Sequence, residues 1–138
     1  MIGVIDASVA LSWLLQDEHS AASDRLFALV ADEGAIVPSL WRLEIANALQ
    51  VAVRRNRIGR AYRDATIQRL GRLPIEVDPE THIHAWSTTL HLSERHYITV
   101  YDAAYLELAL RRRVPLATRD QDLAKAAVDS NVTVLLAN

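Results

Sequence analysis

Short apolar runs alternate along the chain with longer stretches in which apolar residues recur every three or four positions, the pattern of buried strands separated by amphipathic helices. Ile2-Gly3-Val4-Ile5 predicts a strand that stops at Asp6, and Ser8 is placed to cap a following helix carrying Val9, Leu11, Trp13, Leu14 and Leu15. A second helix is expected from Ser20 to about Glu33, with Ala22, Leu26, Leu29 and Val30 on one face and Gly34 as its stop. Ala35-Ile36-Val37 predicts a strand closed by Pro38. Ser39 then opens a helix in which Leu40, Leu43, Ala46 and Leu49 recur through about Arg54. Gly59 separates it from a second helical arm, Arg60 to about Leu70, and Pro74 precedes a strand at Ile75-Glu76-Val77.

Pro79 suits the first turn of a helix containing Ile83, Trp86 and Leu90. Ile98 to Tyr101 reads as a connection, with Asp102 capping a helix that carries Ala103, Leu106 and Ala109. Arg111-Arg112-Arg113 ends that helix with the charge a C-terminus favours. Pro115-Leu116-Ala117 predicts a strand, followed by a helix to about Asp129 and a last strand from Val132 to Leu136. Strands alternating with helices predict an α/β fold: a three-layer α/β/α sandwich with a short parallel sheet, formed as one domain over residues 1–138.

A chain of 138 residues, 51% hydrophobic and 23% charged, has the composition of a globular domain whose core needs no disulfide or structural metal. It contains no Cys, which removes thiolate zinc sites and agrees with a reducing cytoplasm. No apolar stretch approaches the roughly 18 residues of a membrane span, and no basic leader precedes the first strand, so neither membrane insertion nor export is expected. The net charge of −2 conceals a local imbalance: seven Arg against Asp64 alone between Arg54 and Arg72.

In a parallel α/β sheet, ligands bind beyond the carboxyl ends of the strands. Asp6 ends the first strand, Asp120 follows the strand at Leu116, and Asp102 stands at a helix start that commonly opens on the same rim. Glu44 lies one turn into its helix, with Asn47 on the same face. Each also has a plain structural role available: Asp6 as a turn residue, Asp102 and Asp120 as helix caps, Glu44 as a solvated helix position. If the four converge, they raise one another's pKa unless a cation neutralises them. An all-oxygen set favours Mg²⁺ or Mn²⁺ over zinc, and the matching chemistry is phosphodiester hydrolysis. The hydroxyls of Ser8 and Thr118, each two residues from an Asp, are placed either to orient a carboxylate or to close a local turn.

Four segments carry a family resemblance: Val4-Ile5-Asp6-Ala7-Ser8-Val9, Glu44-Ile45-Ala46-Asn47-Ala48-Leu49, Tyr101-Asp102-Ala103-Ala104-Tyr105-Leu106-Glu107-Leu108-Ala109 and Pro115-Leu116-Ala117-Thr118-Arg119-Asp120-Gln121-Asp122-Leu123. In this order they resemble the signature segments of PIN-domain nucleases, and with the chain length they resemble the VapC toxins of toxin–antitoxin pairs. The resemblance implies a metal-dependent endoribonuclease inhibited by a paired antitoxin. Asp6, Glu44, Asp102 and Asp120 match the family's acidic quartet for Mg²⁺ or Mn²⁺, Ser8 and Thr118 match its polar supports, and Asn47 its frequent Asn. Asp122 is a further acid that some members place near the metal. The resemblance also implies 5′-phosphate and 3′-hydroxyl products, and a homodimer or toxin–antitoxin hetero-oligomer.

Arg54, Arg55 and Arg57 suit an RNA or partner surface, since phosphate contacts need clustered cations, but also a solvated helical hairpin. Trp13 and Trp41 suit either an interface or the core. His82, His84, His91 and His96 are read as surface polar residues, because helical neighbours two apart do not share a face. Rival functions are a PIN nuclease acting in RNA processing or on DNA, and an inactive module that binds RNA or protein. Receiver and haloacid-dehalogenase-like domains are excluded by Ala7 and Ser8, which stand where those folds need a second acid.

Overall fold

In the computed structural model, which describes residues 1–136, five short strands form one parallel sheet. They are β1 (Val4–Ile5), β2 (Ala35–Val37), β3 (Ile75–Val77), β4 (Leu116–Thr118) and β5 (Val134–Leu136), in the order β3-β2-β1-β4-β5. Val4 pairs with Ile36 on one side and Leu116 on the other, so β1 is the centre of the sheet and is fully buried. This is why β1 and β2 read as unbroken apolar runs rather than as alternating ones.

The connections are helical: α1 (Ala7–Leu14), α2 (Ala21–Glu33), α3 (Trp41–Arg54), α4 (Arg60–Leu70), α5 (Thr81–His84), α6 (Leu90–His96), α7 (Val100–Arg112) and α8 (Gln121–Asp129). One π-helical turn, Ala85–Thr89, joins α5 to α6. The strand order runs outward from β1 in both directions, and right-handed crossovers then place α1–α4 on one face and α5–α8 on the other. The result is the expected three-layer sandwich. Its core joins β1, β2 and β4 to Val9, Leu26, Val30, Leu49, Leu106 and Leu123. Among the described residues, no helix is long and apolar enough to cross a membrane.

Gly3 has φ +140°, and a Cβ there would lie 2.3 Å from the carbonyl oxygen of Pro115. Only glycine lets the chain enter β1 so close to the start of β4.

Several local expectations are corrected. Asp6, not Ser8, caps α1 by accepting from the Val9 N–H, because Ser8 already lies inside the helix. Thr99, not Asp102, caps α7, which therefore includes Val100 and Tyr101. The helix expected from Ser39 begins at Trp41, and the Ser39 N–H instead meets the Thr81 hydroxyl at 3.0 Å. Its core face is Trp41, Ile45, Leu49 and Ala52, with Leu43 74% exposed. The apolar positions support two phases, and packing against the sheet selects the other one. In α2 the inward positions are Ser23, Leu26 and Val30, and Leu29 faces out. Pro79 lies in the turn before α5 rather than in its first turn.

A buried charged group secures the α7 face. Arg111 donates to both carboxylate oxygens of Asp78, at 3.1 and 2.7 Å, and to Glu107 at 2.8 and 3.0 Å. Asp78 and Glu107 are almost fully buried, so the end of β3 is tied to α7 through one guanidinium. From sequence the Arg111-Arg112-Arg113 run suggests only the charge that a helix C-terminus favours.

Candidate active site

The carboxyl ends of β1 and β4 lie side by side, with Ile5 opposite Ala117. Their next residues therefore meet: Asp6 beyond β1, Thr118 at the end of β4, then Asp120 as the cap of α8. Asp6 Oδ1 accepts from the Ser8 hydroxyl at 2.6 Å and the Val9 N–H at 3.1 Å, while Oδ2 accepts from the Thr118 hydroxyl. Each hydroxyl in turn accepts a backbone N–H at 3.0 Å, Ser8 from Arg119 and Thr118 from Asp120. Each hydroxyl has one hydrogen, so these bonds determine the direction of donation. Asp6 is thereby locked in orientation, with three of its roughly four lone-pair positions taken.

Asp102 enters from the first turn of α7, half-buried. Burial, then the charges of Asp120, Asp6 and Glu44, push its carboxyl from 3.8 up to about 6. The four acids thus share one electrostatic field although they come from β1, α3, α7 and the turn after β4. Burial also raises Asp6, with Asp120 adding to it, against the hydrogen bonds from Ser8, Thr118 and Val9.

Glu44, on α3, accepts a 2.5 Å hydrogen bond from the Tyr105 hydroxyl. Tyr105 is 1% exposed, and burial followed by the Glu44 charge pushes its ionisation well above the ordinary 10, so it remains a donor. Sequence reasoning missed Tyr105 as a partner of the site. The available signal was its spacing of three from Asp102, which puts both on one helical face.

The remaining candidates are dispersed. Asn47 is exposed on α3, and Asp122 is exposed in the first turn of α8. Arg54 and Arg55 are exposed at the end of α3, whereas Arg57 is bound to Asp17 at 2.5 Å. Trp41 is a core residue, and Trp13 donates to the Ser23 carbonyl at 2.8 Å while meeting Phe27 edge-on at 5.3 Å. His82 and His91 are exposed, and His96 meets Ser130 at 3.3 Å.

Among the described residues, no three His, Asp or Glu side chains are arranged to hold an ion. The acid cluster instead combines hard oxygen donors, mutual repulsion that a cation relieves, and one carboxylate, Asp6, already aimed by three hydrogen bonds with a lone-pair position left over. That fits a cation such as Mg²⁺, which keeps several waters and binds through one or two carboxylates, better than one needing an all-protein cage.

The PIN domain family matches residues 3–129. A VapC ribonuclease of Mycobacterium bovis and ribonuclease VapC9 of Mycobacterium tuberculosis are each 32% identical over 123 residues, covering 88% of this chain and 87% of theirs. In fold, the chain is similar to VapBC2 from Rickettsia felis bound to a DNA fragment from its promoter, with TM-score 0.69, 10% identity and both chains fully covered. It is also similar to FitAcB from Neisseria gonorrhoeae, with TM-score 0.66, 15% identity and 96% of each chain covered. The four sequence segments, the five-stranded sheet and these relatives agree, and the chain belongs to the PIN-domain family, in its VapC group.

Proposed function

We propose that this chain is an endoribonuclease that hydrolyses RNA phosphodiester bonds with Mg²⁺ or Mn²⁺, and acts as the toxin of a toxin–antitoxin pair. The observation that carries the reading is the convergence of Asp6 and Asp120 at the adjacent carboxyl ends of β1 and β4 with Asp102 from the first turn of α7 and Glu44 from α3, a mutual repulsion that a bound cation relieves. The ribonuclease relatives support the reaction, and the toxin–antitoxin structures support the partner. The functional unit is one domain, 1–138, acting in the cytoplasm as a homodimer or a hetero-oligomer with its antitoxin.

Asp6, Glu44, Asp102 and Asp120 would hold the cation, which supplies a lowered water pKa and charge stabilisation at the phosphate. The protein's own part is orientation. Ser8 and Thr118 keep Asp6 aimed, and Tyr105 holds the Glu44 carboxylate by a hydrogen bond. Asn47, three residues after Glu44, and Asp122, two residues after Asp120, would act as supports. Arg54, Arg55 and Arg57 hold the RNA backbone or the antitoxin. Hydrolysis adds water across the P–O3′ bond, leaving a 5′-phosphate and a 3′-hydroxyl.

The test is incubation of purified, partner-free protein with structured cellular RNAs under three conditions: added Mg²⁺ or Mn²⁺, added EDTA, and the Asp102→Asn variant with metal. Discrete cuts that need both metal and Asp102 are expected. Undiminished cleavage in EDTA or by the variant overturns the assignment.

A further inference from the structure

The Tyr105 hydroxyl lies 2.5 Å from Glu44 Oε1, and the residue that carries it is 1% exposed. A side chain so enclosed by close-packed neighbours cannot swing out into solvent. A carboxylate only accepts and a tyrosine keeps its proton at neutral pH, so the hydroxyl is the donor and is not an anionic ligand. A cation drawing on Oε1 meets the positive end of an O–H dipole, which leaves Oε2 as the better ligand atom of Glu44.

Asp6 is limited in the same sense by other donors. Its Oδ1 accepts from both the Ser8 hydroxyl and the Val9 N–H, which fills that oxygen, and Oδ2 accepts from Thr118 and keeps one position. Two of the four acids therefore present a single oxygen each to an incoming ion. This difference separates the hard divalent cations. Ca²⁺ gathers 6–8 oxygens and draws on bidentate carboxylates, whereas Mg²⁺ demands near-octahedral geometry, keeps several waters and needs one or two carboxylate oxygens.

We propose that Tyr105 is a cation-selectivity residue: by engaging Oε1 it confines Glu44 to one coordinating oxygen and sets the acid cluster against Ca²⁺ in favour of Mg²⁺ or Mn²⁺. The inference rests on the cation reading above and adds to it the side chain that discriminates between ions. Tyr105 acts through Glu44, so it is a positioning residue and touches neither the ion nor the RNA. Partners of this kind, one bond removed from a metal, orient the ligand and tune its affinity.

The experiment measures Mn²⁺ binding to the full chain by the electron paramagnetic resonance signal of the free ion, with Ca²⁺ as competitor and no RNA present. Tyr105→Phe keeps the ring and frees Oε1. It is expected to lower the Ca²⁺ excess that releases half of the bound Mn²⁺ roughly tenfold. Tyr62→Phe, which removes a tyrosine hydroxyl bonded instead to the Leu14 carbonyl at 2.6 Å, leaves that excess unchanged. In a Glu44→Gln background, which lacks the second anionic oxygen, Tyr105→Phe also leaves it unchanged, a dependence that a merely structural role for the hydroxyl does not produce. An unaltered Ca²⁺ excess in Tyr105→Phe, an equal fall in Tyr62→Phe, or a fall that persists with Glu44→Gln overturns the inference. Asp102→Asn separates it from the reading beneath it. No Mn²⁺ binding by the parent, or equal binding by Asp102→Asn, overturns the cation reading itself, whereas binding that needs Asp102 with an unaltered Tyr105→Phe overturns the role of Tyr105 alone.

Discussion

The Thr118 hydroxyl, at the end of β4, donates to Asp6, just beyond β1, across 112 positions of sequence. The same oxygen accepts the Asp120 N–H, so one side chain aligns two acids of the cluster. Thr118→Val keeps the shape and removes both bonds. It is expected to cost about 1–3 kcal/mol, the range for leaving buried polar groups unpaired, read from the urea midpoint. Losing a bond that lowers the Asp6 pKa moves that carboxyl further up, so the pH for half-maximal RNA cleavage rises. Thr118→Ser keeps both effects near the starting values, and a valine variant as stable as the parent contradicts the argument.

The Asp102 carboxyl predicts how metal-free stability varies with pH. Its folded value of about 6 lies above 3.8, so the folded state holds the proton more tightly. This contribution to stability is complete below pH 3.8 and is lost as pH rises through about 6. The shift corresponds to a ceiling of about 3 kcal/mol, and solvent screening at a half-exposed carboxylate reduces the observable part to about 1–2 kcal/mol. Asp102→Asn in EDTA at pH 7 should therefore melt higher than the parent, with a flatter profile between pH 4 and 6. A variant that melts lower at pH 7 would falsify the repulsion.

Arg111 is bonded to two buried carboxylates at once, and its removal leaves both without their cation. Arg111→Met is expected to destabilise by about 3–5 kcal/mol, and adding Asp78→Asn and Glu107→Gln should recover much of that loss. Burial acts to raise Asp78, but its hydrogen bonds and the Arg111 charge hold it below 3.8. The contribution of this ionised group is thus complete above about pH 4 and disappears as pH falls through the lowered value. Thermal melts from pH 6 to 2 should show the Arg111→Met chain losing less on acidification than the parent.

Arg54 and Arg55 are exposed at the end of α3, and among the described residues neither has an ion pair such as the one that engages Arg57. Replacing both by Ala should lower the salt dependence of RNA affinity by up to about two phosphate contacts. Fluorescence titrations at several salt concentrations measure that slope. An identical slope with intact antitoxin binding would restrict the pair to the solvated surface.

Legibility from sequence differed by type of feature. Asp6 was placed at a strand end because it directly bounds a short apolar run, and Asp120 because it follows the run at Leu116 within a few residues. Cap assignments were less secure, since Ser8, Asp6, Thr99 and Asp102 can all satisfy a helix N-terminus, and the backbone conformation selects among them. The face of α3 was misjudged for a similar reason: its apolar residues cover more than one stripe, and only contact with the sheet determines which one is buried.

The amino-acid sequence by itself determined the alternation of strands and helices, the parallel sheet and the acids at strand ends, because periodicity and punctuation are local properties of the chain. Tertiary structure alone decided that Tyr105 meets Glu44, that Arg111 joins Asp78 to Glu107, and that Thr118 aims Asp6. Three of these four contacts join residues 33 to 112 positions apart, and no local pattern encodes them. They arise where the order β3-β2-β1-β4-β5 brings distant segments together and burial makes each polar group take its partners from them.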